Sequence, residues 1–244
     1  MKRLSLVFVL GVSAILLTGC DDYKKISEEE FNSYFSAEKV SAAKENFAAI
    51  KTFNFKAIQT TTEFDYELYR YFDADYYYQY AFADEKTQKN YSHDLYLGSS
   101  NISDCKWYAV TAEGVNKVTV GQQAFNEYDE RVRNDRGTIT NSMDDPFYYA
   151  KEFSENVANK QYYLGGNSLK VTFKSPEGSD DSLSGKIVFN SKTLLIASCE
   201  IHLKTTEGSG TVKFNFSYNK SFKHKTPNDI GYKESVWLVF LKLI

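Results

Sequence analysis

Residues that commonly perform catalysis or bind metals are few in this chain and lie far apart. The three histidines, His93, His202 and His224, have no cysteine or second histidine at the spacing of a zinc site, and the sequence contains no HExxH motif. We therefore expect the histidines to occupy surface or strand positions, with no bound metal and no cofactor.

Acidic pairs and serine motifs also lack the partners that chemistry would need. Three pairs of nearby acids occur, at Asp73 and Asp75, at Asp144 and Asp145, and at Asp180 and Asp181. None lies in an EF-hand loop or beside a recognisable acid–base partner, which favours turns and helix starts. The SxxK motif at residues 36–39 has no SDN or KTG triplet to accompany it. The sequence therefore predicts a protein that is not an enzyme.

The N-terminus carries the most specific motif of the chain. Lys2 and Arg3 precede an apolar run, Leu4–Leu17, and small residues then lead to Cys20, which is the organisation of a secretory signal peptide. The run is shorter than the about 20 apolar residues that cross a bilayer. Residues 17–20, LTGC, resemble the lipobox of bacterial lipoproteins, and this resemblance implies cleavage before Cys20 and diacylglycerol on its sulfur.

Residues 1–19 are accordingly expected to be removed, with Cys20 as the lipid anchor. Two or three acyl chains, each contributing about 0.8 kcal/mol per buried methylene, hold a protein far more firmly than one chain does. The expected location is the extracytoplasmic face of a bacterial membrane. The alternative is an ordinary signal peptide followed by a chance cysteine.

Two further cysteines, Cys105 and Cys199, remain after Cys20 is modified. Outside the cytoplasm they could form a disulfide, which requires a Cα–Cα distance of roughly 4.4 to 6.8 Å. The alternative is two buried free thiols, and Cys199 does occupy an apolar position in an alternating segment. Both interpretations stay open at the level of sequence.

Composition indicates a folded, aromatic-rich domain. Hydrophobic residues make up 42% of the chain, with 19 tyrosines and 18 phenylalanines, so a sizeable core is expected. The formal net charge of −3 becomes more negative when Lys2 and Arg3 leave with the signal peptide, which argues against nucleic acid as a partner. No Pro/Gly-rich linker divides the chain, so we predict one domain over residues 36–235.

The first half of the mature chain begins with helix and continues as strands. Residues 20–35 are expected to form a lipid-anchored polar tether and a short helix, with a capping box at Ser27–Glu30. Helical periodicity follows over Ser36–Ile50. Alternating segments then predict strands; they are Phe53–Ala57, Phe64–Leu68, Tyr76–Phe82, Tyr91–Leu97, Lys106–Thr111 and Asn116–Phe125.

The second half predicts one helix and an antiparallel meander. A start signal at Ser142, with Pro146 close behind, indicates a helix to about Val157. Four alternating segments follow, each with an apolar and a polar face; they are Leu169–Phe173, Leu183–Phe189, Leu195–Leu203 and Val212–Tyr218. The apolar tail at residues 236–244 is too short to span a membrane. It is interpreted as a last core strand, a membrane-touching tail or an altered C-terminus.

This order of elements resembles the LolA/LolB/LppX group of lipoprotein and lipid carriers. The resemblance covers roughly Ser36–Tyr218 and is based on element order and alternation. It implies an α+β, mainly β fold in which a curved antiparallel sheet forms a half-open β-barrel. An N-terminal helix and a mid-chain lid helix would cover its mouth. The Cys20 anchor places the chain closer to the lipidated members of the group.

The resemblance also implies the residues of a binding site. Phe147, Phe153 and Val157 would belong to the lid. The apolar residues of the concave wall would bind the ligand; they are Phe55, Tyr66, Val171, Phe173, Ile187, Phe189, Ala197, Ile201, Phe214 and Phe216. Alternating apolar residues equally well fill an ordinary core, and the sequence leaves the choice open.

The expected function is therefore that of a membrane-anchored lipoprotein that binds a hydrophobic or amphiphilic ligand in an apolar concavity and transfers it across the cell envelope. The ligand would be a lipid, an acyl chain or a lipidated protein, gaining about 25 cal/mol for each Å² of apolar surface removed from water. The alternative is a surface interaction or scaffold lipoprotein with a filled core and an envelope protein or glycan as its partner.

Overall fold

A computed structural model of the chain describes residues 23–61, 63–85, 88–154, 157–176, 182–206 and 208–233. The predicted signal peptide, Cys20 and the apolar tail at residues 236–244 lie outside these ranges. The predicted class, α+β with mainly antiparallel β-structure in a curved, open sheet, is confirmed.

Twelve antiparallel strands form one sheet in the described part of the chain. The strands are β1 Lys24–Ile26, β2 Phe53–Thr61, β3 Phe64–Phe72, β4 Tyr76–Glu85, β5 Gln88–Leu97, β6 Lys106–Thr111, β7 Asn116–Val120, β8 Ala158–Gly165, β9 Ser168–Lys174, β10 Ser182–Asn190, β11 Ile196–Thr205 and β12 Gly208–Tyr218. The helices are α1 Glu28–Tyr34, α2 Ala37–Ala48, α3 Gln122–Asp144 and α4 Tyr148–Lys151.

The sheet joins two meanders that are distant in sequence. Its order is β1-β8-β9-β10-β11-β12-β2-β3-β4-β5-β6-β7, so the last strand lies beside the first long one. Phe53 of β2 pairs with Tyr218 of β12, and Phe55 pairs with Phe216. The early and late halves of the chain therefore meet at the middle of the sheet.

Alternation gives the sheet two different faces. We call the side that carries Phe53, Phe72 and Ile187 the inner face, because these residues share one core with the helices. On it, Phe31 of α1 and Phe47 of α2 are almost completely buried. The opposite side is called the outer face. The helices thus cover one side of the sheet, as period-two patterning requires.

The predicted capping box is confirmed in part, whereas the predicted tether is shorter than expected. Ser27 Oγ accepts a hydrogen bond from the backbone N–H of Glu30 at 3.0 Å, and α1 follows. Lys24 and Lys25, predicted as part of a polar tether, instead belong to the edge strand β1, in which Lys25 pairs with Tyr163. Ile26 supplies the apolar contact that holds this short strand on the core.

The predicted mid-chain helix Ser142–Val157 is wrong in its bounds. The long helix α3 begins at Gln122 and contains Ser142 near its end, and only the one-turn helix α4 follows. Pro146 explains the break, since proline disfavours helical geometry at the preceding residue; Asp145 is extended, with φ −132° and ψ 103°. The predicted strand at residues 116–125 likewise ends at Val120, where Gly121 starts the helix.

A second cluster packs on the outer face of β3–β6. It is built around Tyr71, Tyr76 and Tyr78, and the segment that follows β12 covers it. The ring of Phe222 stacks on Tyr71 with centroids 4.7 Å apart, and His224 stacks on Tyr76 at 3.9 Å. This half of the outer face is therefore closed by the chain itself.

Cys105 and Cys199 are free thiols, and both are buried. This decides between the two interpretations that the sequence left open. Burial raises the pKa of the Cys199 thiol to about 12. Among the described residues, no helix is long and apolar enough to cross a bilayer.

Candidate functional site

A small cavity lies between the inner face and the helices. It has a volume of about 110 Å³ and lies near Phe55 on β2 and Phe214 and Phe216 on β12. Tyr149 of α4 covers it, with its ring centroid 5.4 Å from that of Phe214 and 5.5 Å from that of Phe216. We call this hollow the central cavity.

A polar network borders the central cavity at Arg70. Arg70 Nη1 donates to Asp135 Oδ1 at 2.6 Å, and Arg70 Nε donates to Gln79 Oε1 at 2.7 Å. The Tyr77 hydroxyl donates to the same Gln79 oxygen at 3.1 Å. Gln79 Nε2 donates to Asp94 Oδ2 at 3.0 Å. These side chains form a polar network across β3, β4 and β5, and Asp135 connects it to α3.

Burial dominates the electrostatics of this network. It raises the pKa of Asp135, and the neighbouring Arg70 guanidinium lowers it by less. Burial also raises the pKa of Asp94, opposed by Arg131 and by the indole of Trp107. Asp135 Oδ2 is buried without a hydrogen-bond partner among the described residues. The cavity wall therefore holds one acceptor with unused capacity.

A larger hollow, which we call the end pocket, lies farther along the inner face. It has a volume of about 380 Å³ and is lined by Tyr66, Ala81, Ala83, Ser92 and Thr111, among others. Small side chains leave this space, because alanines occupy the inward positions 81 and 83 of β4, opposite Leu68 and Tyr66 of β3. The two hollows are neighbours along β3. On its inner face, Tyr66 lines the end pocket, Arg70 lines the central cavity, and Leu68 lies between them.

The structure divides the predicted wall residues into groups. Phe55, Phe214 and Phe216 line the central cavity, and Tyr66 lines the end pocket. The others, apart from Ala197, are at most 1% exposed within the packed core; they are Val171, Phe173, Ile187, Phe189 and Ile201.

Ala197 is a correction to the predicted wall. A β-bulge shifts the pairing of β10 with β11, so that Val188 pairs with Ser198 and Phe189 with Ile196. Two residues of β11 then lie between the inward positions Ile196 and Cys199, and Ala197 is the extra one. Ile196, which is completely buried, takes the core position that alternation assigned to Ala197.

The predicted lid residues do not share one helix, and none of them is among the described residues that line the central cavity. Phe147 immediately precedes α4 and packs edge-on against Phe173, with centroids 6.3 Å apart. Phe153 and Val157 follow α4 in irregular chain and pack partly buried against the main core. The residue that covers the central cavity is Tyr149, which the prediction did not include.

The polar members of the site were also missed. Arg70, Gln79 and Asp94 occupy inward positions in strands whose other inward residues are largely apolar or small, which was the available signal. Asp135 similarly lies on the buried stripe of α3 with Ile139. Buried polar residues out of pattern indicate a network, because each needs a partner.

The described residues contain no cluster of histidine, cysteine and acidic side chains that could hold a metal ion. No known family model and no curated protein matches the chain. One solved structure, described as the hypothetical protein CT021 from Chlamydia trachomatis, shares 8% identity at a TM-score of 0.24. The similarity covers 71% of this chain and 91% of the other.

Proposed function

We propose that this protein is a membrane-anchored lipoprotein that binds a hydrophobic or amphiphilic ligand along the inner face of its sheet. The proposal combines the signal peptide and Cys20 with the two hollows on that face. It includes the half-open barrel and lid of the LolA/LolB/LppX group, with α3 and α4 as the cover. Transfer of the ligand across the envelope, without covalent chemistry, is the corresponding activity.

The end pocket is the observation that carries the proposal. Its volume of about 380 Å³ lies within the range of about 300–1,000 Å³ that ligand pockets occupy. Its inner-face wall is largely apolar, with Tyr66, Ala81 and Ala83, and a few hydroxyls from Ser92 and Thr111. An acyl chain would gain about 25 cal/mol for each Å² of apolar surface removed from water there.

The central cavity supports a longer binding path. It is too small for a ligand as it stands, but Tyr149 belongs to a one-turn helix flanked by irregular chain. Displacement of this ring would open the wall of Phe55, Phe214 and Phe216 toward the end pocket. Arg70 and the unused oxygen of Asp135 would then meet a polar group of an amphiphile.

The proposal predicts that filling the end pocket abolishes ligand binding. The chain from residue 20 onward, carrying Cys20→Ser, would be mixed with palmitate or lysophosphatidylcholine. We expect both to raise the Tm of this protein. Ala83→Trp should remove the rise because the indole occupies the pocket. Thr60→Trp, at an exposed outer-face position of β2, is the matched control and should keep the rise.

Mass spectrometry of organic extracts from the same protein gives the second readout. A stoichiometric amphiphile in repeated preparations would support the proposal. Absence of any amphiphile, together with an unchanged Tm for every lipid tested, would contradict it.

A second candidate function is an envelope interaction or scaffold protein. Packing favours it, because α3, α4 and the rings around Tyr149 leave only about 110 Å³ in the middle of the concavity. In that case Tyr149→Ala should lower stability without creating any lipid-dependent change in Tm. Under the carrier proposal the same variant should bind lipid more tightly, since the cover is smaller.

A further inference from the structure

Lysines make up most of the charged side chains on the outer face of β9–β12, the half of the sheet that the C-terminal segment does not cover. They are Lys170, Lys174, Lys186, Lys204 and Lys213. We call this surface the basic face. Among the outward residues of these four strands, all of which the structure describes, Glu200 is the single acid. The basic face stands out because the whole chain has a formal net charge of −3.

Glu200 neutralises only part of this charge. Its carboxylate forms ion pairs with Lys186 Nζ at 2.9 Å and with Lys213 Nζ at 3.1 Å. Within the described ranges, Lys170, Lys174 and Lys204 have no acidic partner. Burial lowers the pKa of Lys170, and the neighbouring charge of Lys186 lowers it further. Among the described residues, the face thus carries more lysines than acidic side chains.

The basic face lies beside the point where the lipid anchor leaves the fold. Lys24 starts the edge strand β1 four residues after Cys20, a distance of at most about 14 Å in extended chain. Lys170 Nζ lies 3.8 Å from the ring centroid of Tyr23 and 4.5 Å from that of Tyr163. Tyrosine and lysine together are typical of side chains at the headgroup level of a membrane.

We propose that the basic face docks on the anionic phospholipid headgroups of the membrane that holds the anchor. This inference rests on the proposed lipidation of Cys20, since the short connection then keeps β1 and β9 close to the bilayer surface. Each lysine near an anionic surface raises the affinity about fivefold. Because the anchor already keeps the protein at the membrane, this modest attraction is sufficient to orient the protein on the surface.

A groove in the basic face fits a phosphate-bearing headgroup. It has a volume of about 620 Å³ and is lined by Lys174, Lys186 and His202, with hydroxyls from Thr172 and Ser184. Ammonium and hydroxyl donors of this kind bind phosphate oxygens. With the basic face against the membrane, the end pocket lies on the other side of the sheet and remains open to incoming ligand.

The test uses the chain from residue 20 onward with Cys20→Ser, so that no acyl chain contributes. Vesicles of phosphatidylcholine containing 30 mol% phosphatidylglycerol would be sedimented with the protein and compared with pure phosphatidylcholine. The variant Lys170→Glu/Lys174→Glu/Lys204→Glu reverses the charge of three lysines on the basic face. Lys106→Glu/Lys117→Glu/Lys220→Glu, at exposed positions elsewhere, makes the same change in net charge and is the control.

We expect binding to the anionic vesicles, at least about tenfold weaker for the first triple variant and little changed for the control. High salt should abolish it. Equal binding to pure phosphatidylcholine, equal loss in both triple variants, or no binding at all would overturn the proposal. So would soluble polyphosphate that binds more tightly than the vesicles, because the face would then belong to an anionic polymer. Lipidation of Cys20 is measured separately, by the mass of the membrane-extracted protein, and ligand binding by the Tm assay.

Discussion

Asp135 and Arg70 form an ion pair that is neither exposed nor fully enclosed. Their side chains are 11% and 24% exposed, and the pair bridges α3 to β3. Taking both charges out of water is costly, so the attraction between them mostly offsets that cost. Removing one partner leaves the other without compensation, whereas removing both should be much less damaging.

A double-mutant cycle tests this interpretation. Arg70→Met and Asp135→Leu should each lower the free energy of unfolding at pH 7 by about 3 kcal/mol, and the double variant by clearly less than the sum. Urea denaturation provides the values. Additive losses would mean that the ion pair does not couple the helix to the sheet.

The Arg70→Met variant should also respond to pH in a defined direction. Burial already raises the pKa of Asp135 in the folded protein, and loss of the guanidinium raises it further. The folded state then binds a proton more strongly than the unfolded state. Stability is therefore greatest below the unfolded-state pKa of this carboxyl, and it falls as pH rises from that value through the raised folded-state pKa. The difference in the free energy of unfolding between the parent protein and Arg70→Met should therefore become smaller in acid.

The two thiols should be inert in the folded protein. Cys199 and Cys105 are each 1% exposed, and the pKa of Cys199 is raised to about 12. In the Cys20→Ser chain at pH 8, we expect no reaction with a disulfide reagent until denaturant is added, and then reaction of both. Absence of free thiol after denaturation without reductant would reveal a disulfide instead.

At the scale of elements, the helix α3 forms although its sequence includes a residue that disfavours helical structure. It contains Gly137 in its interior, where a methyl group would contact nothing within 4 Å. Glycine costs a helix about 1 kcal/mol relative to alanine because it loses more backbone entropy on folding. The buried stripe through Ala124, Ile139 and Met143 outweighs this cost.

Two glycine substitutions should therefore have opposite effects. Gly137→Ala should raise the free energy of unfolding by about 0.5–1 kcal/mol. Gly185→Ala, in β10, should lower it, because its methyl group would lie 2.2 Å from the carbonyl oxygen of Glu200 and 2.7 Å from the ring of Phe173. Thermal unfolding of both variants gives the comparison. A loss of stability in Gly137→Ala would mean that α3 is not continuous there.

Strands proved easier to predict than helices for a physical reason. The segments around Phe214 and Val171 alternate between one wet and one buried side, and this pattern survives in the single sequence. The helix α3 presents only a narrow apolar stripe that includes Asp135, so its period is weak. The pattern at Ser142 and Pro146 predicts the start of a helix, whereas Pro146 follows the end of α3.

At the scale of the whole molecule, sequence predicted which side of the sheet is apolar but not how much of it is empty. Phe55, Phe214 and Phe216 were correctly assigned to one surface. The volume left empty on the inner face depends on the sizes of side chains from distant elements, such as Tyr149 of α4 and Ala83 of β4. A local sequence pattern does not contain this information. The bulge at Ala197 was hidden for the same reason, since alternation assumes regular pairing.

The pairing of β2 with β12 also decides when this protein can fold. Residues 62–207 separate the two strands in the sequence, so the contact at the centre of the sheet is among the most non-local that the chain makes. Folding slows as such contacts come to dominate a topology. While the ribosome is still producing the late meander, β2 has no neighbour on one side. The central pairing of the sheet therefore cannot form until most of the chain has been synthesised.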